Sequence, residues 1–313
     1  MKENIQYSHI SVRKNESIEA LKIKKNGIYV DCTFGRGGHS LMILEQLSNE
    51  GHLYCFDQDH EAEQYFNKHF LDKKNCTFIK ANFKDIKFEL EKRNIFKVDG
   101  ILYDLGVSSP MFDNPERGFS YKNDARLDMR MDNSQTKDAH FIINNYSKQQ
   151  LINVFKDYGE IYNCGPVVDL ICEKRSIKPI DTTIELVEII RQKTPIKLQY
   201  QKKHFARTYF QALRIEVNNE LDVLKKSLED SLDLLNISGR IVVISFHSLE
   251  EKVVKNTFME ALNKNNLPKE IPINNQSDFK LIKIKHKPSK EEVEENHRSR
   301  SAFLKVIERI KNE

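Results

Sequence analysis

Short apolar runs rich in β-branched and aromatic residues alternate with helix-like segments through the first third of the chain. The runs cover residues 28–32, 53–56, 77–79 and 100–105. Between them, apolar residues recur every three or four positions, which is typical of helices that cover a sheet. This alternation predicts a parallel sheet with right-handed crossover connections.

Three further strands are predicted much later in the chain. Residues 240–246 form the fifth apolar run, and an amphipathic stretch at residues 217–235 precedes it. Two more runs follow at residues 281–284 and 303–307. The sheet should therefore be completed by the C-terminal part of the chain.

The segment between the fourth and fifth strands contains no convincing strand. Its apolar spacing predicts helices at residues 149–155, 166–173, 183–193 and 204–215. A plain crossover does not need this length, so we interpret it as a helical domain inserted at the carboxyl edge of the sheet. The expected division is a discontinuous sheet domain, residues 1–110 and 212–313, and an insertion, residues 111–211.

The composition limits the class of protein only broadly. Of the 313 residues, 39% are hydrophobic and the formal net charge is +4, which permits a polyanionic partner without requiring one. Neither a run of about 18 apolar residues nor an apolar signal core after Met1 is present. We expect a cytoplasmic protein that does not bind membranes.

The cysteines and histidines do not indicate a metal site. The five cysteines are Cys32, Cys55, Cys76, Cys164 and Cys172. No pair has C-x-x-C spacing, and no two of the ten histidines form H-x-x-x-H. We expect inert thiols, no disulfide and no bound metal.

The stretch "DCTFGRGGHS", residues 31–40, follows the apolar residues 27–30 at the end of the first predicted strand and precedes a predicted helix. Glycine permits positive φ and a close approach of the backbone to a ligand. The spacing is G-x-G-G, which lacks the third glycine of the dinucleotide-binding G-x-G-x-x-G. A nucleotide-like ligand and a tight turn without a ligand are both compatible with the stretch.

Polar or aromatic residues follow the next three strands. Asp57 ends the second strand, Ala81-Asn82-Phe83 follows the third, and Asp104 ends the fourth. A carboxylate after the second strand suits ribose hydroxyls, and Phe83 could stack on adenine. Because carboxyl ends of parallel strands share one edge, these residues favour an adenosine with a charged amino-acid tail, as in S-adenosylmethionine. A solvated surface acid is the alternative for Asp57.

Several long motifs resemble the RsmH family, also called MraW, from His9 nearly to the C-terminus. They are "TFGRGGHS", "DGILYDLGVSSP", "ERGFSY", "LDMRMD", "FQALRIEVNNEL", "ISFHSLEEKVVK" and "NHRSRSAFLKVIER". The resemblance implies a Rossmann-like class I S-adenosylmethionine-dependent methyltransferase, an α/β fold with a helical domain inserted between strands 4 and 5. It also implies N4-methylation of a decoding-centre cytidine in 16S rRNA, with the small ribosomal subunit as partner.

The resemblance assigns the cofactor contacts residue by residue. They are Gly37, Gly38, His39, Asp57, Phe83 and Asp104. Family members usually carry a glutamine where this chain has Met111, so only packing or a backbone contact would remain there. The chain also departs from the family at His297, where proline is usual, and at Arg207, which is shifted by one position.

The amine of cytosine is a weak nucleophile because its lone pair is delocalised into the ring. Rigid alignment with the methyl donor can lower such a barrier by about 7–11 kcal/mol. Asp104, Ser108, Ser109 and Pro110 lie where acceptors for the amine are needed, and we predict a catalytic role for them. An ordinary turn at Ser-Ser-Pro is the alternative.

Candidate substrate contacts are spread along the chain. They are Arg117, Arg207, His247, Arg298 and Arg300, together with the lysine-rich segment 280–290. For "SFHSLEEK", His247 could bind the cytosine edge, whereas Ser248 and Glu251 could instead form a helix capping box.

Three other functions compete with an rRNA methyltransferase. One is an NAD-dependent oxidoreductase, which the missing third glycine disfavours. Another is a non-catalytic ribosome-assembly factor that keeps the donor pocket as a scaffold. A DNA methyltransferase is the third, although no DNA-reading module is visible. For the rRNA methyltransferase, a homodimer is compatible with the sequence.

Overall fold

The computed structural model describes residues 12–263, 277–284, 299 and 302–311. The chain divides into two compact units. Unit 1 comprises Met1–Gly106 and Leu221–Glu313, and unit 2 comprises Val107–Glu220. The divisions expected from the sequence were after residues 110 and 211, whereas the two units divide after residues 106 and 220.

Unit 1 contains a seven-stranded sheet. Its strands are β1 Ile28–Asp31, β2 His52–Asp57, β3 Cys76–Lys80, β4 Val98–Asp104, β5 Leu235–Ser245, β6 Phe279–Ile282 and β7 Phe303–Arg309. The order is β3-β2-β1-β4-β5-β7-β6. Strands β1 to β5 are parallel, and β7 pairs antiparallel with β5 and β6. All seven predicted strands and the α/β class are confirmed.

The strand order reverses between β1 and β4. In open α/β sheets, ligands bind outside the carboxyl ends of the strands at such a reversal. The helices of unit 1 are α1 Lys14–Leu21, α2 Gly38–Gln46, α3 His60–His69, α4 Ile86–Glu91, α12 Glu220–Leu234 (which begins on the last residue of unit 2) and α13 Ser248–Asn263. The first of the crossover helices, α2, begins at the glycine-rich turn.

Apolar side chains fill both faces of the sheet. Strand side chains alternate between faces, so Ile101 and Tyr103 of β4 lie in one core cluster and Leu102 lies in the other. Leu224 and Leu228 of α12 cover the face that contains Tyr103. A sheet buried on both faces explains why the strands are almost continuously apolar.

The hydroxyl of Tyr103 is the polar centre of this core. It lies 2.6 Å from Ser227 Oγ and 2.7 Å from Ser231 Oγ, and all three residues are buried. Ser227 in turn donates to the carbonyl oxygen of Phe83 at 2.8 Å. This network joins β4 and α12 to the segment that follows β3. Burial raises the pKa of Tyr103 well above its usual value, so the phenol remains neutral.

Unit 2 consists of helices around a separate apolar core. They are α5 Ser109–Asp113, α6 Ala139–Asn145, α7 Lys148–Gly159, α8 Gly165–Ile177, α9 Thr183–Lys193, α10 Ile196–Gln199 and α11 Arg207–Asn218. Leu151 and Phe155 of α7 and Leu213 of α11 belong to its core. The four helices predicted here are confirmed, and α9 has the predicted bounds.

The cysteines are mostly buried in the fold. All five are free thiols, and Cys32, Cys55 and Cys164 are buried. Burial raises the pKa of each of these three thiols. In the described part of the chain, no helix has the length and apolar character needed to cross a membrane.

Tyr103→Phe should lower the free energy of unfolding by about 1–2 kcal/mol, because two buried serine hydroxyls lose their shared partner. Chemical denaturation followed by circular dichroism measures the change. The matched control is Tyr162→Phe, since Tyr162 is 75% exposed, and it should change the midpoint very little. Equal midpoints for the two variants would show that the network contributes nothing to stability.

Candidate active site

The glycine-rich turn connects the end of β1 to the start of α2. Gly35 and Gly37 have φ values of 54° and 69°, as the sequence led us to expect. A Cβ atom on Gly37 would lie 2.4 Å from Phe70 Cζ and 2.8 Å from Phe34 Cε2. Aromatic packing as well as backbone conformation therefore requires glycine at this position.

Asp31, at the end of β1, is a buried acid that hydrogen-bonds to the turn and to α2. It is 1% exposed. Its carboxylate accepts a hydrogen bond from the Thr33 amide at 3.0 Å and from the Ser40 hydroxyl at 2.6 Å. Burial raises the pKa of Asp31, and these two bonds oppose the rise. Sequence reasoning overlooked this residue, although an acid inside an apolar strand must find such partners.

Asp57, at the end of β2, holds the other side of the turn. Its Oδ2 accepts from the Gly35 amide and its Oδ1 from the Asp59 amide, both at 2.9 Å. Burial raises the pKa of Asp57 to about 6, and the two amide bonds oppose that shift. Because a carboxylate offers about four lone-pair sites, Asp57 can still accept further hydroxyl donors.

Asp104 and His39 face each other where β4 ends beside α2. The Asp104 amide donates to Thr33 Oγ1 at 2.7 Å, which ties the end of β4 to the turn. Its carboxylate oxygen Oδ2 lies 3.6 Å from Nδ1 of His39, a buried residue in the first turn of α2. The structure thus brings together the turn and the acid of the fourth strand.

Phe83 begins a short 3-10 helix, Phe83–Asp85, which Ala81 and Asn82 connect to the end of β3. Its half-buried ring meets Tyr103 edge to face, with ring centroids 5.6 Å apart. The neighbouring Asn82 accepts from the Lys84 amide and donates to Gln58 at 2.8 Å. These bonds engage the Asn82 side chain within the protein, so the ring of Phe83 is the better candidate for a base contact.

The end of β5 corrects one prediction. The capping box of α13 is formed by His247 and Glu250, one position earlier than the predicted Ser248 and Glu251. The Glu250 amide donates to His247 Nδ1 at 3.4 Å, and Glu250 Oε2 accepts from the Phe246 and His247 amides. His247 Nε2 lies 3.0 Å from Glu250 Oε1. Both ring nitrogens of His247 therefore lie close to Glu250.

The Ser-Ser-Pro sequence begins unit 2. Ser108 is half-buried, and Ser109 and Pro110 are the first residues of α5. Met111, predicted to lie near the cofactor, is 5% exposed and belongs to the apolar core of unit 2. Its side chain therefore contributes packing to that core.

Arg117 is placed differently from the substrate contact that the sequence predicted. It is 7% exposed. Its guanidinium donates to the carbonyl oxygens of Arg130 and Met131, at 3.0 and 3.3 Å. Arg130 likewise bonds Asp128 through two nitrogens, at 2.6 and 2.7 Å. The arginines of "ERGFSY" and "LDMRMD" thus brace a loop inside unit 2.

The remaining predicted cations differ in their surroundings. Arg207 is exposed at the first residue of α11. Lys280 of the lysine-rich segment pairs with Glu308 at 2.9 Å. Residues 285–290, Arg298 and Arg300 lie outside the described residues. Arg207 is therefore the one predicted arginine that the structure both describes and places at the surface.

Comparison with known proteins identifies close relatives over almost the whole chain. Residues 6–310 match the MraW methylase family. The chain is 60% identical to "Ribosomal RNA small subunit methyltransferase H" of Malacoplasma penetrans over 303 residues, 96% of this chain and 97% of that protein. Proteins of the same name are 52% identical in Ureaplasma urealyticum and 47% identical in Lactiplantibacillus plantarum, over 97% of this chain and 98% of each relative.

The Asp57 carboxyl should titrate near pH 6 in the unliganded protein. Because the folded state holds this proton more tightly than the unfolded chain, protonation of Asp57 stabilises the fold, and that contribution is lost as the pH rises through 6. Carbon-13 NMR of labelled aspartate measures the midpoint. Asp57→Asn should remove this resonance and thereby assign it, and a midpoint near 4 would contradict the burial argument.

Proposed function

The chain belongs to the MraW methylase family, and we propose that it methylates N4 of a decoding-centre cytidine in 16S rRNA. S-adenosylmethionine is the proposed donor. The observation that carries the proposal is the pair of acids, Asp57 and Asp104, at either side of the glycine turn. The small ribosomal subunit is the proposed partner, and the cytoplasm is the corresponding location. Family membership rules out the oxidoreductase interpretation.

The residues around the turn suit the parts of this donor. Asp57 is fixed by two backbone amides and can accept from both ribose hydroxyls. Phe83 offers a ring for adenine. The N-cap of α2, Gly37, makes no side-chain capping bond, so the helix N-terminus can favour the amino-acid carboxylate. When bound, S-adenosylmethionine supplies an electrophilic methyl group on a positively charged sulfur.

The cytosine amine is the group that this chain must orient. We assign Asp104, Ser108 and the backbone at Ser109-Pro110 as acceptors for its hydrogens. Asp104 is suited to this because its amide is anchored on Thr33 while its side chain is 18% exposed. An acceptor that interacts more strongly as the nitrogen becomes positive stabilises the transition state more than the ground state.

Residues farther from the reacting atoms have supporting roles in this proposal. Arg207 is the exposed arginine that could bind an RNA phosphate. His247 is a positioning residue, since Glu250 holds its ring at the end of β5. Arg117 is left out because its guanidinium is buried against carbonyl oxygens. A homodimer and the contacts of Arg298 and Arg300 stay predictions.

The direct test is single-turnover methyl transfer onto purified small subunits from a strain that lacks this gene. We expect one labelled nucleoside, N4-methylated cytidine, at the decoding centre, identified by nuclease digestion and mass spectrometry. Subunits from the wild-type strain serve as the premethylated control and should accept no label. Binding of S-adenosylmethionine without transfer to any RNA would instead support a non-catalytic assembly factor.

Asp104→Asn should weaken donor binding and also lower the rate at saturating donor, because it removes the charge that the amine needs in the transition state. Asp57→Ala is the comparison variant. It should weaken donor binding by about 1.5–3 kcal/mol, through lost bonds to a charged group, with saturated turnover nearly intact. Calorimetry and single-turnover rates measure the two quantities. If Asp104→Asn has wild-type affinity and rate, the residue has neither role.

A further inference from the structure

Unit 2 contains a long cationic stretch without any acid. No aspartate or glutamate occurs between Glu188 and Glu216. The lysines and arginines between these two residues are Arg191, Lys193, Lys197, Lys202, Lys203, Arg207 and Arg214. All of them except Arg214 are exposed, so the stretch contributes a concentrated positive charge to the surface of unit 2.

Three of these cations lie at or just before the start of α11. Lys202, Lys203 and Arg207 are exposed, and none of them forms an ion pair with a residue that the structure describes. By contrast, Arg214 is paired with Glu220 at 2.7 Å. The N-cap of α11, Ala206, makes no side-chain capping bond, so the helix start adds partial positive charge there.

Three aromatic rings form a stack among these cations. His204 lies between Tyr121 and Phe205, with centroid distances of 4.6 and 4.3 Å and interplanar angles of 16° and 25°. All three rings are half-buried. Phe210 supports Tyr121 from the core through an edge contact. The Arg207 amide donates to the His204 carbonyl oxygen, which joins the stack to the start of α11.

The charge state of His204 favours stacking. Burial lowers the pKa of His204, and the nearby Lys122 lowers it further. The ring is therefore neutral at physiological pH, and Nδ1 accepts from the Ala206 amide at 3.2 Å. Lys122, next to Tyr121 in the chain, is exposed and brings a fourth cation to the same place.

We propose that this surface, hereafter the stacking surface, binds a single-stranded segment of RNA. It consists of the rings of Tyr121, His204 and Phe205 and the cations Lys122, Lys202, Lys203 and Arg207. An unpaired base would extend the ring stack, and the cations and the start of α11 would hold the flanking phosphates. Aromatic platforms beside basic side chains are how proteins bind single strands with little sequence preference.

The stacking surface supplies cations for RNA that the arginines of the "ERGFSY" and "LDMRMD" motifs do not supply. Arg117 and Arg130 are engaged within their own loop, so the cations of unit 2 that can meet RNA must come from elsewhere. Bases are free to stack only where RNA is unpaired, since a duplex covers their faces. This inference rests on the proposed function, because it supplies an RNA contact for the same substrate.

The charged part is tested with the double variant Lys202→Glu/Lys203→Glu in the full chain. Its matched control is Lys156→Glu/Lys174→Glu, which makes the same charge change at exposed positions of α7 and α8. Fluorescence anisotropy with an unpaired oligoribonucleotide of about 12 nucleotides measures affinity. The test variant should bind at least about ten-fold more weakly, with a salt slope shallower by about 1.4, at about 0.7 for each lost phosphate contact. Equal affinity of the two variants overturns the inference.

The ring part is tested with 2-aminopurine at the centre of the same oligonucleotide, since stacking quenches its fluorescence. With Phe205→Leu, we expect most of the quenching to be lost and the affinity to fall about ten-fold. With Phe205→Tyr, we expect the quenching and the affinity of the wild type. A duplex of the same length should bind all three proteins without this difference. Quenching that is unchanged in Phe205→Leu overturns the ring assignment.

Two further measurements separate the stacking surface from the methyltransferase function. Donor affinity by calorimetry and methyl transfer to small subunits are measured on the same preparations. Normal wild-type transfer together with oligonucleotide binding that is insensitive to Lys202→Glu/Lys203→Glu overturns the stacking surface alone. RNA binding that depends on Lys202 and Lys203, without any methyl transfer by the wild type, supports the surface and overturns the proposed function.

Discussion

Two strand-end carboxylates hold the glycine turn, and the rest of the candidate site is positioned from that turn. Asp31 bonds the Thr33 amide and the Ser40 hydroxyl, while Asp57 bonds the amides of Gly35 and Asp59. Both acids thus bind groups on the turn or the helix behind it. Since carboxylates are strong acceptors of backbone amide bonds, they add to the main-chain bonds of this segment, such as that from the Phe34 amide to the Phe56 carbonyl oxygen.

Burying two carboxylates to hold the turn costs desolvation energy, and the same contacts give the site a rigid backbone. Burial raises the pKa of both Asp31 and Asp57, so part of their interaction energy is spent on desolvation. Rings from α3 and β3 pack behind the turn, with Phe34 in edge contact with Phe66, Phe70 and Phe78. Carboxylates and aromatic rings together give a preorganised backbone, and a preorganised site loses less entropy when a ligand binds.

Unit 2 contains arginines that are bonded inside the fold and lysines that are exposed at its surface. The arginines of its motifs lie inside, where a planar guanidinium with five donors can bond several carbonyl oxygens or a carboxylate at once. Its lysines before α11 stay in water, where their charge is available to a polyanion. The distinctive motifs "ERGFSY" and "LDMRMD" therefore carry arginines that stabilise the fold. The proposed RNA-binding surface lies instead in the less distinctive segment "QKKHFAR".

The sequence by itself determined the strand and helix pattern, the α/β class and the strand ends at which the acids lie. These follow from local periodicity and from the rule that parallel strands share a carboxyl edge. Only the tertiary structure decided what each side chain contacts. Periodicity carries no information on partners far apart in the chain, so it could not show that Asp57 bonds Gly35, that Arg117 bonds the Arg130 carbonyl, or that Tyr121 stacks on His204. The capping-box pattern also placed the cap of α13 one residue too late, because two adjacent glutamates, Glu250 and Glu251, could each close the box and only the folded chain shows that Glu250 bonds the Phe246 and His247 amides.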